Sequence, residues 1–130
     1  MFHWVEHTAE LELELEAQTE AEVFAVALAA FAELTGDSDG PPLEQVIKVE
    51  AADAAMRLVA WLEELIYLSE REGFVPERID ALELDGDSLH ARVAGHTGQP
   101  AHLVKAVTLH RLELREDEAG GWRGRVVLDV

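Results

Sequence analysis

The sequence contains no cysteine, and this absence removes several kinds of chemistry at once. Without thiols the chain forms no disulfide bond, no cysteine nucleophile and no zinc–thiolate site, a composition that suits a reducing compartment. No apolar run approaches the ~20 residues that cross a bilayer. The start of the chain also lacks the basic and apolar regions of a secretory signal. We therefore expect a cytoplasmic protein that does not enter membranes.

Basic residues are scarce, with 10 Lys and Arg against 27 Asp and Glu and a formal net charge of -17. Such an acidic surface repels phosphate backbones and anionic lipid, so direct binding to nucleic acid or to a membrane is not expected. Cations and basic protein surfaces are the natural partners. For most of the glutamates, solubility is the expected role.

The common catalytic motifs are also absent. There is no glycine-rich phosphate loop, no G-x-S-x-G elbow and no H-E-x-x-H motif. Six histidines are scattered along the chain, and only His3 and His7 are four residues apart. For each of these histidines alone, a surface or structural role is favoured over metal binding.

Hydrophobic periodicity predicts the first elements. Leucines alternate with glutamates from Leu11 to Leu15, which is typical of a strand with one buried face. Four glutamates then share the polar face: Glu10, Glu12, Glu14 and Glu16. A capping box at Thr19 and Glu22, followed by apolar residues at helical spacing, predicts a first helix at about Glu20 to Thr35.

The rest of the chain reads as one more helix among strands. After the turn segment "GDSDGPP", the alternation in "EQVIKVEA" predicts a strand, and a second helix follows Asp53 and closes at Gly73. Further strands are predicted at about Arg78 to Leu84, Ser88 to Val93, Val104 to Arg115 and Trp122 to Asp129, with "DGD" as a hairpin turn and "AGHTGQPAH" as a loop. This order predicts an α+β fold, a largely antiparallel β-sheet with two α-helices packed on it, and a single domain over residues 1–130.

A hard-cation site is favoured over a histidine metal site, because oxygen ligands are what the chain has in excess. In the terminal "VVLDV", Asp129 sits beside the carboxyl group of Val130. If the last strand pairs antiparallel with the first long one, Asp129 meets Glu10 on the polar face. Carboxylate oxygens in an irregular arrangement suit calcium.

Five blocks of the sequence resemble the archease family, in the order in which that family has them. "HTAELELELEA" is similar to the family's opening H-T-A-D, and "FAELTGD" is similar to the end of its first helix. "WLEELIYLSEREGF" resembles its W-L-N-E-L-L-Y-L helix, and "KAVTLHRLEL" resembles its K-A-V-T-Y-H-x-L-x-V strand. "WRGRVVLDV" matches its ending W-x-x-x-V-V-x-D-[IV]. The resemblance covers nearly the whole chain.

This resemblance implies a non-enzymatic accessory protein of the RtcB-type RNA-splicing ligase. Archeases help that ligase load guanylate from GTP onto its active-site histidine, so that it turns over repeatedly in tRNA splicing or RNA repair. The resemblance also implies a divalent metal, usually calcium, bound by Glu10, Asp129 and Val130. Four further positions in the matching motifs are candidates for serving the partner or the function: His7, Lys105, Thr108 and His110.

Three positions depart from the family pattern. Glu10 replaces the usual Asp, which keeps the carboxylate but adds a methylene. Leu109 replaces a Tyr and so removes a hydroxyl, and Ala60 stands where an Asp commonly precedes the Trp. Of the three, only the change at Glu10 touches the expected metal site.

Two other interpretations stay open from the residues alone. The chain is also compatible with an acidic α+β module that binds a small ligand or a protein and has no ligase role. A metal-dependent hydrolase using Glu10 and Asp129 is disfavoured, because no base or nucleophile is positioned beside them. For the accessory protein, docking is expected on the polar side of the terminal strands, where the unusual charges converge.

Overall fold

The computed structural model describes residues 1–130 and consists of seven strands and two helices. In chain order these are β1 (Phe2–His7), β2 (Glu10–Ala17), α1 (Glu20–Thr35), β3 (Pro42–Glu50), α2 (Ala54–Glu72), β4 (Phe74–Asp85), β5 (Ser88–Thr97), β6 (Ala106–Glu116) and β7 (Trp122–Asp129). All strand pairs are antiparallel. The predicted α+β class with two helices and antiparallel strands is confirmed.

The strands form two sheets rather than one. The four-stranded sheet has the order β1-β2-β7-β6, and the three-stranded sheet has the order β3-β5-β4. Helix α1 contacts β2 of the first sheet and β4 of the second, and α2 contacts β6 as well as β3 and β4. The helices therefore join the two sheets, and one cluster of 24 buried residues runs through all of them.

Both helices begin and end where the capping residues predict. The Thr19 hydroxyl accepts a hydrogen bond from the backbone N–H of Glu22 at 3.2 Å, and α1 stops before Gly36. A carboxylate oxygen of Asp53 accepts from the first turn of α2, and Gly73 closes that helix with a left-handed φ of 65°. Neither helix combines the length and apolar character that crossing a membrane would need.

Hydrophobic periodicity does not predict the first strand, β1, because the alternation begins only at Leu11. It pairs with β2 from Phe2 opposite Leu15 to His7 opposite Glu10, through a two-residue turn. The turn carries no glycine or asparagine, the usual signal of a tight hairpin. Instead, Ala9 adopts the left-handed conformation with a φ of 61°.

The prediction of a loop over "AGHTGQPAH" is wrong at its beginning. Strand β5 continues to Thr97, and β4 starts at Phe74 instead of about Arg78. Gly95, taken as a loop residue, lies inside this ladder, where a Cβ would meet the carbonyl oxygen of Val75 at 2.1 Å. Glycine is required there because two backbones approach closely. From the sequence alone, such a glycine cannot be distinguished from a glycine in a turn.

Trp61 and Arg57 of α2 fix the helix against the rest of the core. The indole of Trp61 is fully buried, and its N–H donates to the carbonyl of Phe24 in α1 at 3.1 Å. The buried guanidinium of Arg57 lies 2.6 Å from the carboxylate of Glu20 and donates to the carbonyl of Ala51 at 2.6 Å. One arginine thus links both helices and the end of β3.

Replacing Arg57 by methionine should lower the free energy of unfolding by about 2–3 kcal/mol. The substitution keeps most of the side-chain volume but leaves the half-buried carboxylate of Glu20 without its partner. Denaturant unfolding measures the change. Arg71→Met is the control, because Arg71 is exposed near the end of the same helix. It lies over the ring of Tyr67, so its loss should stay within about 1 kcal/mol. Equal losses in the two variants would contradict a stabilising role of the Arg57 network.

Replacing Ala9 by glycine should instead raise the free energy of unfolding, by about 0.5 kcal/mol. Glycine removes the Cβ penalty of the left-handed conformation, and this gain exceeds its extra entropy in the unfolded chain. The control is Ala119→Gly, in another surface turn but without a positive φ, where only the entropic loss remains. Thermal unfolding that moved both variants in the same direction would contradict strain at Ala9.

Candidate metal site

The last strand brings the two ends of the sequence together. Strand β7 lies between β2 and β6, with Asp129 opposite Glu10 on one side and opposite Ala106 on the other. The carbonyl of Asp129 accepts from the backbone N–H of Lys105 at 2.8 Å, and the N–H of Val130 donates to the carbonyl of Ala9 at 3.2 Å. The last strand does pair with the first long one, an arrangement that the sequence permits but does not show, and the final residues are held from both sides.

Glu10 and Asp129 project to the same side of the sheet. Directly opposed residues of an antiparallel pair have Cβ atoms about 4.5–5.5 Å apart on one face. The next opposed pair, Leu11 and Leu128, belongs to the other row of side chains. That row also contains Leu13 and faces the core. We call the face that carries Glu10 and Asp129 the outer face of the four-stranded sheet. Both carboxylates, and Val130 beside them, are partly buried.

No protein cation compensates this group of negative charges. The ion pairs of the structure involve neither Glu10, nor Asp129, nor the carboxyl group of Val130. Like charges directly opposite each other across two strands are destabilising. Oxygen donors that are partly buried, lie on directly opposed residues and lack a counter-charge fit a hard divalent cation.

A third protein side chain does not join them. No group of three or more His, Cys, Asp or Glu side chains is arranged to hold a metal anywhere in the structure. A cation between Glu10 and Asp129 would therefore take its other ligands from the carboxyl group of Val130, backbone carbonyls or water. Calcium accepts such a set, because it tolerates mixed oxygen ligands and irregular geometry.

The four other candidate residues lie around this pair at different depths. His7 is opposite Glu10, and its Nε2 is 3.7 Å from a carboxylate oxygen of Glu12. Thr108 is opposite Val127 on the outer face, and its hydroxyl accepts from the backbone N–H of His110 at 3.1 Å. The side chains of His110 and Lys105 are exposed. The structure brings His7 and Thr108 close to the candidate site, whereas His110 and Lys105 face solvent at its edge.

Glu12 is not the solvated strand residue that the alternating pattern predicts. Its relative exposure is 5%, and its Oε1 lies 3.0 Å from the Nη1 of Arg111. Val127, opposite Glu12 on the same outer face, is fully buried. Sequence reasoning missed this pair because the four glutamates of β2 look equivalent, and nothing local shows that an arginine of another strand covers one of them.

Arg111 reaches Glu12 because β6 does not run as one regular strand. The residues from Leu109 to Leu112 form a bulge opposite Val126 alone, between the pairs Thr108–Val127 and Glu113–Arg125. Within it, Arg111 has a left-handed φ of 57°. The predicted strand at about Val104 to Arg115 is confirmed as β6, Ala106–Glu116, but the sequence does not show the register shift inside it.

The opposite end of the outer face is rich in arginine. Arg125 and Arg115 both pair with Glu113, at 3.2 and 3.1 Å, and Arg123 lies 3.8 Å from Glu16. The face is thus polarised along the strands. Uncompensated carboxylates occupy one end, and arginines paired with glutamates occupy the other.

The chain is similar to known proteins of one family. A model of the archease protein family matches residues 2–130. The protein archease of Methanosarcina acetivorans is 35% identical over 141 residues, which covers 99% of this chain and 95% of that protein. The protein archease of Methanosarcina mazei is 32% identical over 140 residues, with the same coverage.

Solved structures agree with these relatives. The solution structure of protein 1598 from Methanobacterium thermoautotrophicum has a TM-score of 0.73 and 27% identity, and the match covers 99% of this chain and 98% of that one. The crystal structure of an archease and possible chaperone from Thermotoga maritima has a TM-score of 0.70 at 22% identity, a likeness of fold alone. By the match of its full length to the family model and to these relatives, the chain belongs to the archease family.

Proposed function

We propose that this protein is an accessory protein that activates an RtcB-type RNA-splicing ligase in the cytoplasm. It would promote GTP-dependent guanylylation of the ligase, and so its repeated turnover, in tRNA splicing or RNA repair. Membership in the archease family supports the proposal. The observation that carries it is the uncompensated pair Glu10 and Asp129, held opposite each other at the end of β7.

The cofactor in this proposal is calcium or another divalent cation, held by Glu10, Asp129 and Val130. When bound, the cation would supply positive charge that removes the repulsion between the two carboxylates and fixes the end of β7 against β2. The protein contributes the register that places the ligands. His7 lies opposite Glu10, but no serine or lysine beside the pair completes a nucleophile with its base, which favours an accessory role over catalysis by this chain.

The docking surface in this proposal is the carboxylate end of the outer face. With a net charge of -17, the protein attracts a partner whose contact surface is basic. RNA is repelled by the same charge, so the ligase and not this protein is expected to hold the nucleic acid.

Calcium should raise the melting temperature of the protein, and Asp129→Asn should abolish this increase. A ligand that binds only the folded state stabilises it by mass action, and the variant lacks one of its carboxylates. In a chelator, Asp129→Asn should be more stable than the parent by about 0.5 kcal/mol, because the repulsion from Glu10 is gone. Glu10→Gln should behave in the same way.

The matched control is Glu14→Gln, on the same strand and the same face but paired with His3 at 2.9 Å. It should retain the full response to calcium. A response that survives in Asp129→Asn and Glu10→Gln would exclude the metal site, whatever the outcome with the ligase.

The protein should accelerate covalent guanylylation of the ligase in the presence of GTP and Mn²⁺. Asp129→Ala, provided that its circular dichroism and melting curve show a folded protein, should lower this acceleration by about tenfold or more. Glu14→Gln again serves as control. No acceleration by the parent protein at any ratio would reject the activator role and leave the acidic binding module. Hydrolysis of a phosphate ester by the chain alone would point to an enzyme instead.

A further inference from the structure

The pair formed by Arg111 and Glu12 crosses the central strand of the sheet. Arg111 lies in β6 and Glu12 lies in β2, and β7 separates these two strands. Val127, the β7 residue opposite Glu12, is fully buried although it is on the outer face. The guanidinium therefore spans β7 above Val127 and ties the β6 bulge, residues Leu109–Leu112, down onto the sheet.

Charge attraction holds this contact. The Oε1 of Glu12 has no aligned hydrogen-bond donor, so its approach to Arg111 at 3.0 Å is an ion pair. The Glu12 side chain is only 7% exposed, and shielding from water strengthens attraction between opposite charges. His7 adds a second nitrogen at 3.7 Å from the same oxygen.

The backbone of Arg111 is fixed as well. Its carbonyl accepts a hydrogen bond from the Nε of Arg125 in β7 at 3.0 Å. Its φ of 57° is one that residues other than glycine avoid, so neighbouring contacts must hold it. Side chain and carbonyl together clamp the bulge to two different strands.

The clamped bulge displays an apolar side chain to solvent. Leu109 is 58% exposed, and His110 next to it is exposed too. The ladder of β6 with β7 is intact on both sides of the bulge, so pairing of the two strands does not require it. Thr108, just before the bulge, is two residues from Ala106, the residue opposite Asp129. A strained, exposed and anchored segment thus lies beside the candidate metal site.

We propose that Arg111 and Glu12 are positioning residues, which hold the β6 bulge in the shape that the partner protein recognises, with Leu109 as its apolar contact. This inference rests on the proposed function and adds a part of the docking surface to it. The partner is a protein whose contact surface has an apolar depression for Leu109 inside a basic rim. The rim is basic because the bulge adjoins the uncompensated carboxylates. Preorganisation of a binding segment improves affinity by removing the cost of ordering it.

The test compares Arg111→Met with Arg115→Met. Both remove one arginine from β6 and keep most of its volume, but Arg115 pairs with Glu113 at the far end of the face and is 69% exposed. Two readouts are needed: hydrogen exchange of the bulge amides, and the concentration of this protein that gives half-maximal guanylylation of the ligase.

For Arg111→Met we expect bulge amides to exchange about tenfold faster. The half-maximal concentration should rise about tenfold, while the maximal rate and the calcium response stay unchanged. Arg115→Met should change each value by less than about twofold. Glu12→Gln should resemble Arg111→Met, and the double variant should be no worse than the poorer single variant, since one contact can be lost only once. Leu109→Ala should also raise the half-maximal concentration, but without faster exchange of the bulge amides.

Two results overturn the inference. Exchange in Arg111→Met equal to that of the parent would show that the ion pair does not hold the bulge. Faster exchange with an unchanged half-maximal concentration would show a clamp that is structural only. If the parent protein fails to stimulate the ligase at all, the proposed function fails and the positioning role falls with it, whereas the exchange measurement still decides whether the clamp exists.

Discussion

The two hydrogen-bonded ladders of β7, to β2 on one side and to β6 on the other, are the constraint on which the rest of the site depends. They insert the last strand of the chain into the middle of a sheet whose other strands come from both ends of the sequence. Because of them Asp129 lies opposite Glu10, and Val130 is bonded to the turn at Ala9. A different partner for β7 would leave these carboxylates apart, and the same sequence would have no candidate metal site.

Because of these ladders, two carboxylates of β2 have opposite electrostatic surroundings. Glu10 and Glu12 stand on one face, two residues apart, and both are withdrawn from solvent. Glu12 receives a guanidinium, so its charge stabilises the sheet. Asp129, opposite Glu10, is another carboxylate, so two like charges face each other there without a cation of the protein. This contrast is why the metal is proposed at Glu10 and a positioning role is proposed for Glu12.

Much of the fold could be predicted from local chemistry. Thr19, Asp53 and Gly73 fixed the ends of the helices, because capping depends on residues within one turn. Alternation placed β2 and β7 with their inner and outer faces correct, and the family motifs selected Glu10 and Asp129. What failed depended on contacts distant in the chain. The turn at Ala9 lacks the usual residue types, Gly95 marks a close approach of backbones, and the bulge at Arg111 has no local signature.

The sequence by itself determined the composition of the site and the polarity of its strands, because side-chain chemistry and a period of two are written in the order of residues. It also determined the excess of carboxylates that makes a cation and a basic partner the natural ligands. Only the tertiary structure decided which carboxylates meet. Strand order and register decide three features: the burial of Glu12 under Arg111, the exposure of Leu109, and the missing counter-charge at Glu10 and Asp129. Strand order and register are in turn set by the packing of two sheets on two helices, which is a property of the whole chain and of no segment in it.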